Sequence, residues 1–576
     1  MSHDEGFEKR PRIAHITNHG YAGVEVPYGG APDTGGQNVY VNFIVHTMAE
    51  LGYHVTVFTR GGFPFFESDR RREGIEPFGE HARYVYVPGG GDEFVRKEDI
   101  AVALDEEVDW IEAFIEREAD ELGCRPWEVY ELVDAHYWDA GVIGMNLTRR
   151  WRARAGLELL AEVLGGVVSD ETLEREQTMG SRSTAGIALE QVLGRLLLET
   201  TDALDTVDER VRDAVARWYG AKLPQRAALA AEGAWRAYRT AARETGPALA
   251  SILGADVVGS AVINTWDPEG LRVESALSST RRLVFTPHSL AVLKEENYRD
   301  RPLEVRRDLK FCERRDHETA VCGAARGFAA TSTEIAERLR SHHGVPSERM
   351  FYFPAGIDRT LYREYSDAEL EPVFEYLREK TGWDVEALRE AIIVFETSRM
   401  DRTKRKDVLL DAFATAARSH PRAICLIGGG PENDVFRDLD GRRRADPVLS
   451  ERAFLLGFIP DEMMYPLFSM AEVFVTPSEM EGFGLSAAQA AAVGTTLVAS
   501  DLVPFALQYV PDEAIVVKAG DVPGFASAID GLLSDPEDRA GRGRRLAEKT
   551  ASLNWVEQTR SFLDHLRRGG LPVKEP

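Results

Sequence analysis

Arg399 and Lys404 stand five positions apart at the end of the apolar run Ile392–Glu396, in the stretch Thr397-Ser398-Arg399-Met400-Asp401-Arg402-Thr403-Lys404. Both are cationic donors at neutral pH, and across a turn they could clasp one diphosphate. A second stretch, Val473 to Ser500, has an apolar run ending at Pro477-Ser478, an acidic turn, and then Gly482-Phe483-Gly484 leading into an alanine-rich helix. The amides of Gly484, Leu485 and Ser486 would sit unpaired at that helix start, beside the positive end of its dipole, which suits a phosphate. Glu481 shares the turn. A carboxylate there would be repelled by phosphate unless it faces something else, such as a sugar's hydroxyls. Taken alone, the stretch is equally an ordinary loop with a solvated acid.

The N-terminal half offers a different chemistry. Asp33-Thr34-Gly35-Gly36-Gln37 lies between a strand and a helix, and its paired glycines would let backbone amides approach a ligand. The spacing is not GxGxxG, and a flexible turn capped by Asp33 is the alternative. His136 ends a short strand beside Tyr137 and Trp138, rings that can stack on a sugar, although a satisfied structural histidine fits as well. His288 follows another strand in Thr286-Pro287-His288-Ser289-Leu290, and Gly89-Gly90-Gly91 precedes Asp92-Glu93-Phe94-Val95-Arg96-Lys97-Glu98. Phosphate binders in one half and polyol binders in the other describe an enzyme handling a nucleotide-activated sugar. No Ser-His-Asp order, HExxH or paired metal acids argue for hydrolysis, and no Walker Gly-Lys-Ser/Thr argues for ATP cleavage.

Positioning such groups requires parallel sheets whose strand ends face each other. Arg12–Thr17 reads as a strand, Gln37–Leu51 as a helix, and His54–Thr59, Arg83–Val87 and Val129–Ala135 as further strands. The alternation resumes at Val257–Asn264, Leu283–Thr286 and Gly327–Ala330. It then repeats through Ile392–Glu396, Ala423–Gly428, Phe454–Leu456, Val473–Thr476, Thr496–Ser500 and Ala514–Val517. The fold class is therefore α/β, with two Rossmann-like parallel-sheet domains and a central cleft. An N-terminal acceptor-side domain is expected over 1–355, a C-terminal nucleotide-sugar domain over 356–553, and a last helix over 554–576 that returns to the N-terminal domain. Residues 146–262 are rich in Ala, Leu, Arg and Glu, with long helical patterns such as Ile187–Leu198, Leu204–Tyr219 and Ala227–Arg243, and read as a helical insertion, either a homo-oligomer contact or a cover for the acceptor side.

A chain of 576 residues is too long for one ordinary core. Its formal net charge of -26 argues against a nucleic-acid partner, which it would repel. Cys124, Cys312, Cys322 and Cys425 are scattered and contain no CxxC, so neither a zinc site nor a disulfide framework is indicated. The polar start MSHDEGFEKRPR has no signal-peptide core, and no run has the length of a membrane span; a cytoplasmic location is the expectation.

Seven motifs in order carry a family resemblance: DTGGQNVYV at 33–41, GGGDEFVRKE at 89–98, HYWDAG at 136–141, TPHSL at 286–290, PAGID at 354–358, SRMDRTK at 398–404 and EGFGLSAAQ at 481–489. With them the chain resembles the retaining glycosyltransferases of family four, which have the GT-B fold. It is most similar to the branch of sucrose-phosphate synthase, sucrose synthase and mannosylfructose-phosphate synthase. The resemblance implies that Arg399 and Lys404 bind the diphosphate of a nucleotide-sugar donor, with Gly482, Phe483, Gly484, Leu485 and Ser486 around it. Glu481 would hold sugar hydroxyls, and His136 would touch the sugar from the other domain. Gly35 and Gly36 would line the junction with the acceptor, and Gln37, Arg96, Lys97 and His288 the acceptor side. No cofactor and no obligatory metal are implied. The expected reaction moves a hexosyl group, glucosyl by preference, to a small polar acceptor with retention; a non-catalytic nucleotide-sugar-binding protein and a phosphate-dependent disaccharide phosphorylase are the rivals.

Two departures from the family pattern matter. Gln489 stands where the family has its second signature acid, which commonly binds the ribose hydroxyls. Glu93 stands where a lysine would meet a phosphorylated acceptor, leaving Arg96 and Lys97 to replace it or an unphosphorylated acceptor to be used.

Overall fold

The computed structural model describes residues 10–26, 31, 33–164, 282–299, 302–430, 432–479 and 481–576. The first sheet contains β1 (Arg12–Thr17), β2 (His54–Arg60), β3 (Gly74–Pro77), β4 (Ala82–Val87), β5 (Leu132–His136), β6 (Leu283–Thr286), β7 (Gly327–Ala330) and β8 (Met350–Tyr352), in the order β3-β4-β2-β1-β5-β6-β7-β8. Its pairings are parallel except β3 with β4. The second sheet contains β9 (Ile392–Thr397), β10 (Ala423–Gly428), β11 (Ala453–Gly457), β12 (Val473–Thr476), β13 (Thr496–Ser500) and β14 (Ile515–Val517), ordered β11-β10-β9-β12-β13-β14 and parallel throughout. Helices cover both faces, so β5, β6, β10 and β12 are buried along their whole length. The α/β class with two parallel-sheet domains is as the alternation implied.

In each sheet the strand order reverses once, between β1 and β5 in the first and between β9 and β12 in the second. The crevice outside the carboxyl ends of such strands is where open α/β sheets bind ligands. Gly35, His136, Arg399 and Glu481 lie at or just beyond those four strand ends.

Two features depart from the expectation. β3 is an exposed antiparallel edge strand, its Gly74-Ile75-Glu76-Pro77 carrying no period. The helix after β5 runs Tyr137–Leu164 without interruption, and its Met145, Leu147, Trp151 and Ala155 are buried in the core beneath β1, β5 and β6. The sheet domain therefore continues past residue 146, where the insertion was expected to start. Residues 165–281 lie outside the described residues, and with them the helices expected at 187–198, 204–219 and 227–243, the strand expected at 257–264, and the oligomer contact. Among the described residues no helix is long and apolar enough to cross a membrane.

The last helix, Trp555–Arg568, is capped by Asn554, whose side chain accepts from the Glu557 amide. Its apolar face lies on the helix Gly36–Glu50. The Trp555 ring meets Tyr40 at 5.0 Å and stacks on Phe43 at 5.8 Å, and Phe562 packs against Phe353 at 4.8 Å. Gly356 must be glycine here, because a Cβ would stand 2.6 Å from the Trp555 ring. Phe562 is fully buried. Phe562→Ala is expected to destabilise the protein by about 3–5 kcal/mol, read as a lowered urea midpoint; a midpoint equal to that of the native chain would refute this packing role.

Candidate active site

Two cavities, of about 340 and about 320 Å³, meet in the cleft between the sheets and share Gly35, Gly36, Arg399, Lys404, Glu481, Gly484 and Leu485 in their walls. Ser486 and Gln489 line the first, and Gln37, Lys97, His288, Gly482 and Phe483 the second.

Arg399 is exposed, and its side chain would be 3.6 Å from a Cβ at Gly35. Lys404 Nζ donates to Glu481 Oε1 at 2.6 Å, and Glu481 also accepts from Ser478 Oγ at 2.9 Å. The helix Leu485–Ala492 begins at Gly484 with no side-chain cap, which leaves its first-turn amides toward the cavity. Gly484 has φ +97° and its Cβ would stand 2.7 Å from Val503, so both conformation and space require glycine. A Cβ on Gly482 would stand 3.0 Å from the His288 carbonyl oxygen, so here the two halves touch by backbone. The Phe483 side chain turns away to pack on Phe505 and Tyr509. Its contribution to the site is its backbone.

Two of the expected site residues do not reach the cavities. His136 is fully buried, with Nε2 at 2.9 Å from His15 Nδ1 and Nδ1 at 3.1 Å from His288 Nε2. His288, one hydrogen bond further out, is the ring that lines the cavity. Burial holds both His15 and His288 down at about 3, and His136 is likewise lowered, so all three rings are neutral. Arg96 is the second: it points outward into ion pairs with Asp99 and Asp308. Gln37 donates to Thr17 Oγ1 at 3.3 Å and to the His136 carbonyl at 3.4 Å, which ties the loop after β1 to the end of β5. His15, Asp134 and His136 bring three donor atoms within 4.8 Å of one another, the combination among the described residues that a metal ion could share.

A group missed by sequence reasoning opens off Lys97 and Arg399. It lines a third cavity of about 150 Å³ with Tyr137, Lys294, Lys310 and Arg314. Tyr137 sits at φ +81°, a strained value for a bulky residue. Its hydroxyl oxygen accepts from Lys294 Nζ at 3.0 Å and from Arg314. Burial opposes ionisation of the phenol, but Arg314, Lys294 and Lys97 outweigh it and bring it down to about 8. Lys97 also pairs with Asp33 and Glu98, and Arg314 with Glu318. The loop that delivers Lys97 is pinned by Arg60, which donates to the carbonyls of Gly89 at 2.7 Å, Gly91 at 3.1 Å and Glu93 at 2.8 Å. Glu93 itself is exposed and lines none of the three cavities.

Comparison with known proteins agrees with this geometry. Residues 379–549 match the model of the glycosyl transferases group 1, and residues 204–361 that of glycosyltransferase family 4. Mannosylfructose-phosphate synthase of Agrobacterium fabrum is 23% identical over 85% of this chain and 76% of its own length. The D-inositol 3-phosphate glycosyltransferase of Nocardia farcinica is 29% identical over 49% of this chain, and the match spans 60% of that protein. Among solved structures, sucrose-phosphate synthase from Thermosynechococcus elongatus superposes with a TM-score of 0.60 at 20% identity, covering 97% of this chain and 99% of that one. WaaG, a glycosyltransferase of lipopolysaccharide biosynthesis, gives 0.51 at 11% identity over 95% and 98% of the two chains.

Charge at the junction of the cavities should govern turnover. Arg399→Ala and Lys404→Ala are each expected to lower the rate of sugar transfer by at least about tenfold, measured as nucleotide release under saturating donor. Rates equal to the native enzyme would remove both residues from the site.

Proposed function

Since the chain is a glycosyltransferase of family four with the GT-B fold, we propose that it moves a hexosyl group, glucosyl by preference, from a nucleotide diphosphate sugar to a small acceptor that carries a phosphate, with retention of configuration. The observation that carries the acceptor class is the cationic group around Tyr137. Lys97, Lys294 and Arg314 converge there beside the junction of the two larger cavities, and Lys294 has a phenol rather than a carboxylate as its partner. A phosphate dianion could accept from all three; Lys97 and Arg314 already have carboxylate partners in Asp33, Glu98 and Glu318, so Lys294 is the cation whose charge such a phosphate would balance. Glu93 does not oppose this, because its carboxylate is not in the wall. The names of the two relatives, both of which include a phosphorylated sugar or polyol, lend support.

The donor lies in the first cavity with its diphosphate between Arg399, Lys404 and the amides at Leu485 and Ser486. Glu481 then exchanges part of its bond with Lys404 for the hydroxyls of the transferred sugar. As the bond from sugar to phosphate breaks, charge grows on the leaving oxygen, where the guanidinium and ammonium stabilise it. The acceptor hydroxyl, held by its distant phosphate, attacks from the face the leaving group departs and gives its proton to the departing oxygen of the donor's diphosphate. Catalysis is chiefly orientation and charge stabilisation by residues already in place. No step calls for a metal or a cofactor. Gln489 in the wall of the donor cavity is neutral, so ribose binding would rest on hydrogen bonds without a carboxylate.

The test is a screen of UDP-, ADP- and GDP-glucose against fructose, fructose phosphate, glycerate and glycerol. Transfer only to the phosphorylated acceptor supports the reading; transfer to free fructose alone would overturn the acceptor class. Donor binding without any turnover would favour a binding protein, and sugar phosphate release without nucleotide a phosphorylase. Lys294→Ala should raise KM for the phosphorylated acceptor by about tenfold or more while leaving donor KM unchanged. Tyr137 is neutral below about 8 and anionic above, so acceptor affinity should fall as pH rises through that value. Tyr137→Phe should abolish that limb of the pH profile.

A further inference from the structure

His15, His136 and His288 form one file of rings from the core to the cavity, closed at its inner end by a sulfur. His15 Nε2 lies 3.3 Å from Met48 Sδ, His15 Nδ1 2.9 Å from His136 Nε2, and His136 Nδ1 3.1 Å from His288 Nε2. The first two rings and Met48 are fully buried, so no water competes for these contacts. Burial keeps the rings uncharged, and a neutral imidazole has one donor and one acceptor nitrogen.

A thioether can only accept. The hydrogen on His15 must therefore sit on Nε2, which makes its Nδ1 an acceptor. His136 then donates from Nε2 and accepts at Nδ1, and His288 donates from Nε2. The nitrogen left to His288 is Nδ1, and it carries a lone pair. With Nε2 turned inward, that is the ring nitrogen available to the cavity His288 lines. Asp134 sits against the same contact and is compatible with either order. Its Oδ1 accepts from Thr286 at 2.6 Å, while its Oδ2, buried and without a hydrogen-bond partner, stands 3.4 Å from His136 Nε2. The same oxygen is 3.6 Å from His15 Nδ1, so it meets the one N–H of that pair in either order, and the direction rests on the Met48 sulfur. Tyr40, edge-on to His288 at 4.9 Å, and His19 are the other ionisable groups around the outer ring.

We propose that Met48 sets the tautomer of all three histidines and so makes His288 a hydrogen-bond acceptor for a hydroxyl of the bound sugar or acceptor. His288 is then a substrate-binding residue, and Met48, His15 and His136 are positioning residues. The role toward substrate rests on the transferase reading above; the tautomer order does not, and is tested on the free enzyme.

The experiment is nitrogen NMR of the full chain with ¹⁵N-labelled histidine, the His288 signals being assigned by their loss in His288→Asn. The expected result is an unprotonated Nδ1 and a protonated Nε2 on His288 in the native protein. In Met48→Leu, where no acceptor faces His15 Nε2, the His288 Nδ1 resonance should move toward the protonated position. The same variant should lose about three- to tenfold in kcat/KM for transfer, with donor binding retained. A protonated Nδ1 on His288 in the native protein would overturn the proposal, and that measurement decides the matter even if Met48→Leu fails to fold. So would a stoichiometric metal ion whose removal by chelator shifts the His15 and His136 signals, because His15, Asp134 and His136 would then be its ligands. Correct tautomers with no transferase activity would sink the functional reading alone.

Discussion

The structure depends on how closely the carboxyl edges of two sheets approach across the cleft. At Gly482 the approach is tight, since a Cβ would stand 3.0 Å from the His288 carbonyl oxygen and the backbone would have to give by a few tenths of an ångström. At Gly35 the Arg399 side chain lies at ordinary contact distance, 3.6 Å from where a Cβ would stand. A chain that brings strand ends this near favours glycine at the tightest point and polar side chains around it, because the ends of strands and the starts of helices expose unpartnered backbone groups. Those same groups are what an anionic ligand needs. The requirement of packing and the requirement of binding fall on the same residues.

Charge is distributed to match. The protein as a whole is strongly acidic, at -26, yet the cleft gathers Arg399, Lys404, Lys97, Lys294 and Arg314. An anionic substrate would be repelled by the surface at long range, and screening limits that repulsion to about 8 Å at physiological ionic strength. Inside the cleft the cations act at contact distance with little water between, where they are worth far more. Several are already held by carboxylates: Lys404 by Glu481, Lys97 by Asp33 and Glu98. Such pairs keep the side chains in place before a ligand arrives, so less freedom is lost on binding.

Much of this was legible in the sequence, for reasons that are local. Strands covered on both faces show as apolar runs, and glycines forced by turns or close approach stand at strand ends; from these the two sheets, the uncapped helix start in the cavity wall and the pair Arg399 and Lys404 beside it could be read. The Tyr137 group could not, because its members come from residues 97, 137, 294 and 314, which only the packing of several elements brings together. Its trace in the sequence was the dense charge at Glu313–His317, which by itself is no more than a solvated helix face. The burial of His136 was equally hidden. A histidine at a strand end reads the same whether the cavity or another histidine lies beyond it. The extent of the sheet domain was hidden for a third reason: the helix from Tyr137 to Leu164 carries buried Trp151 and Ala155 past residue 146, while its Ala-, Leu- and Arg-rich composition reads the same on both sides of that position.

Lys406 shows how far support for the site reaches behind its walls. It is fully buried, with Nζ donating to Glu396 Oε2 at 2.5 Å, to the Ser398 carbonyl at 3.0 Å and to the Gly428 carbonyl at 2.7 Å. A buried ion pair is weak evidence of stability, since an apolar pair of similar volume is often as good. What an apolar pair could not do is hold two carbonyls. Through them Lys406 joins the end of β9 to the end of β10, and Ser398 is the residue before Arg399. The next glycine, Gly429, has φ +105° and comes so near Ser398 that a Cβ would overlap its carbonyl. The backbone that presents Arg399 is therefore fixed from below by an ammonium and from the side by a glycine. A guanidinium on a long, flexible stem can be aimed at one point in the cleft only if the backbone beneath it does not move.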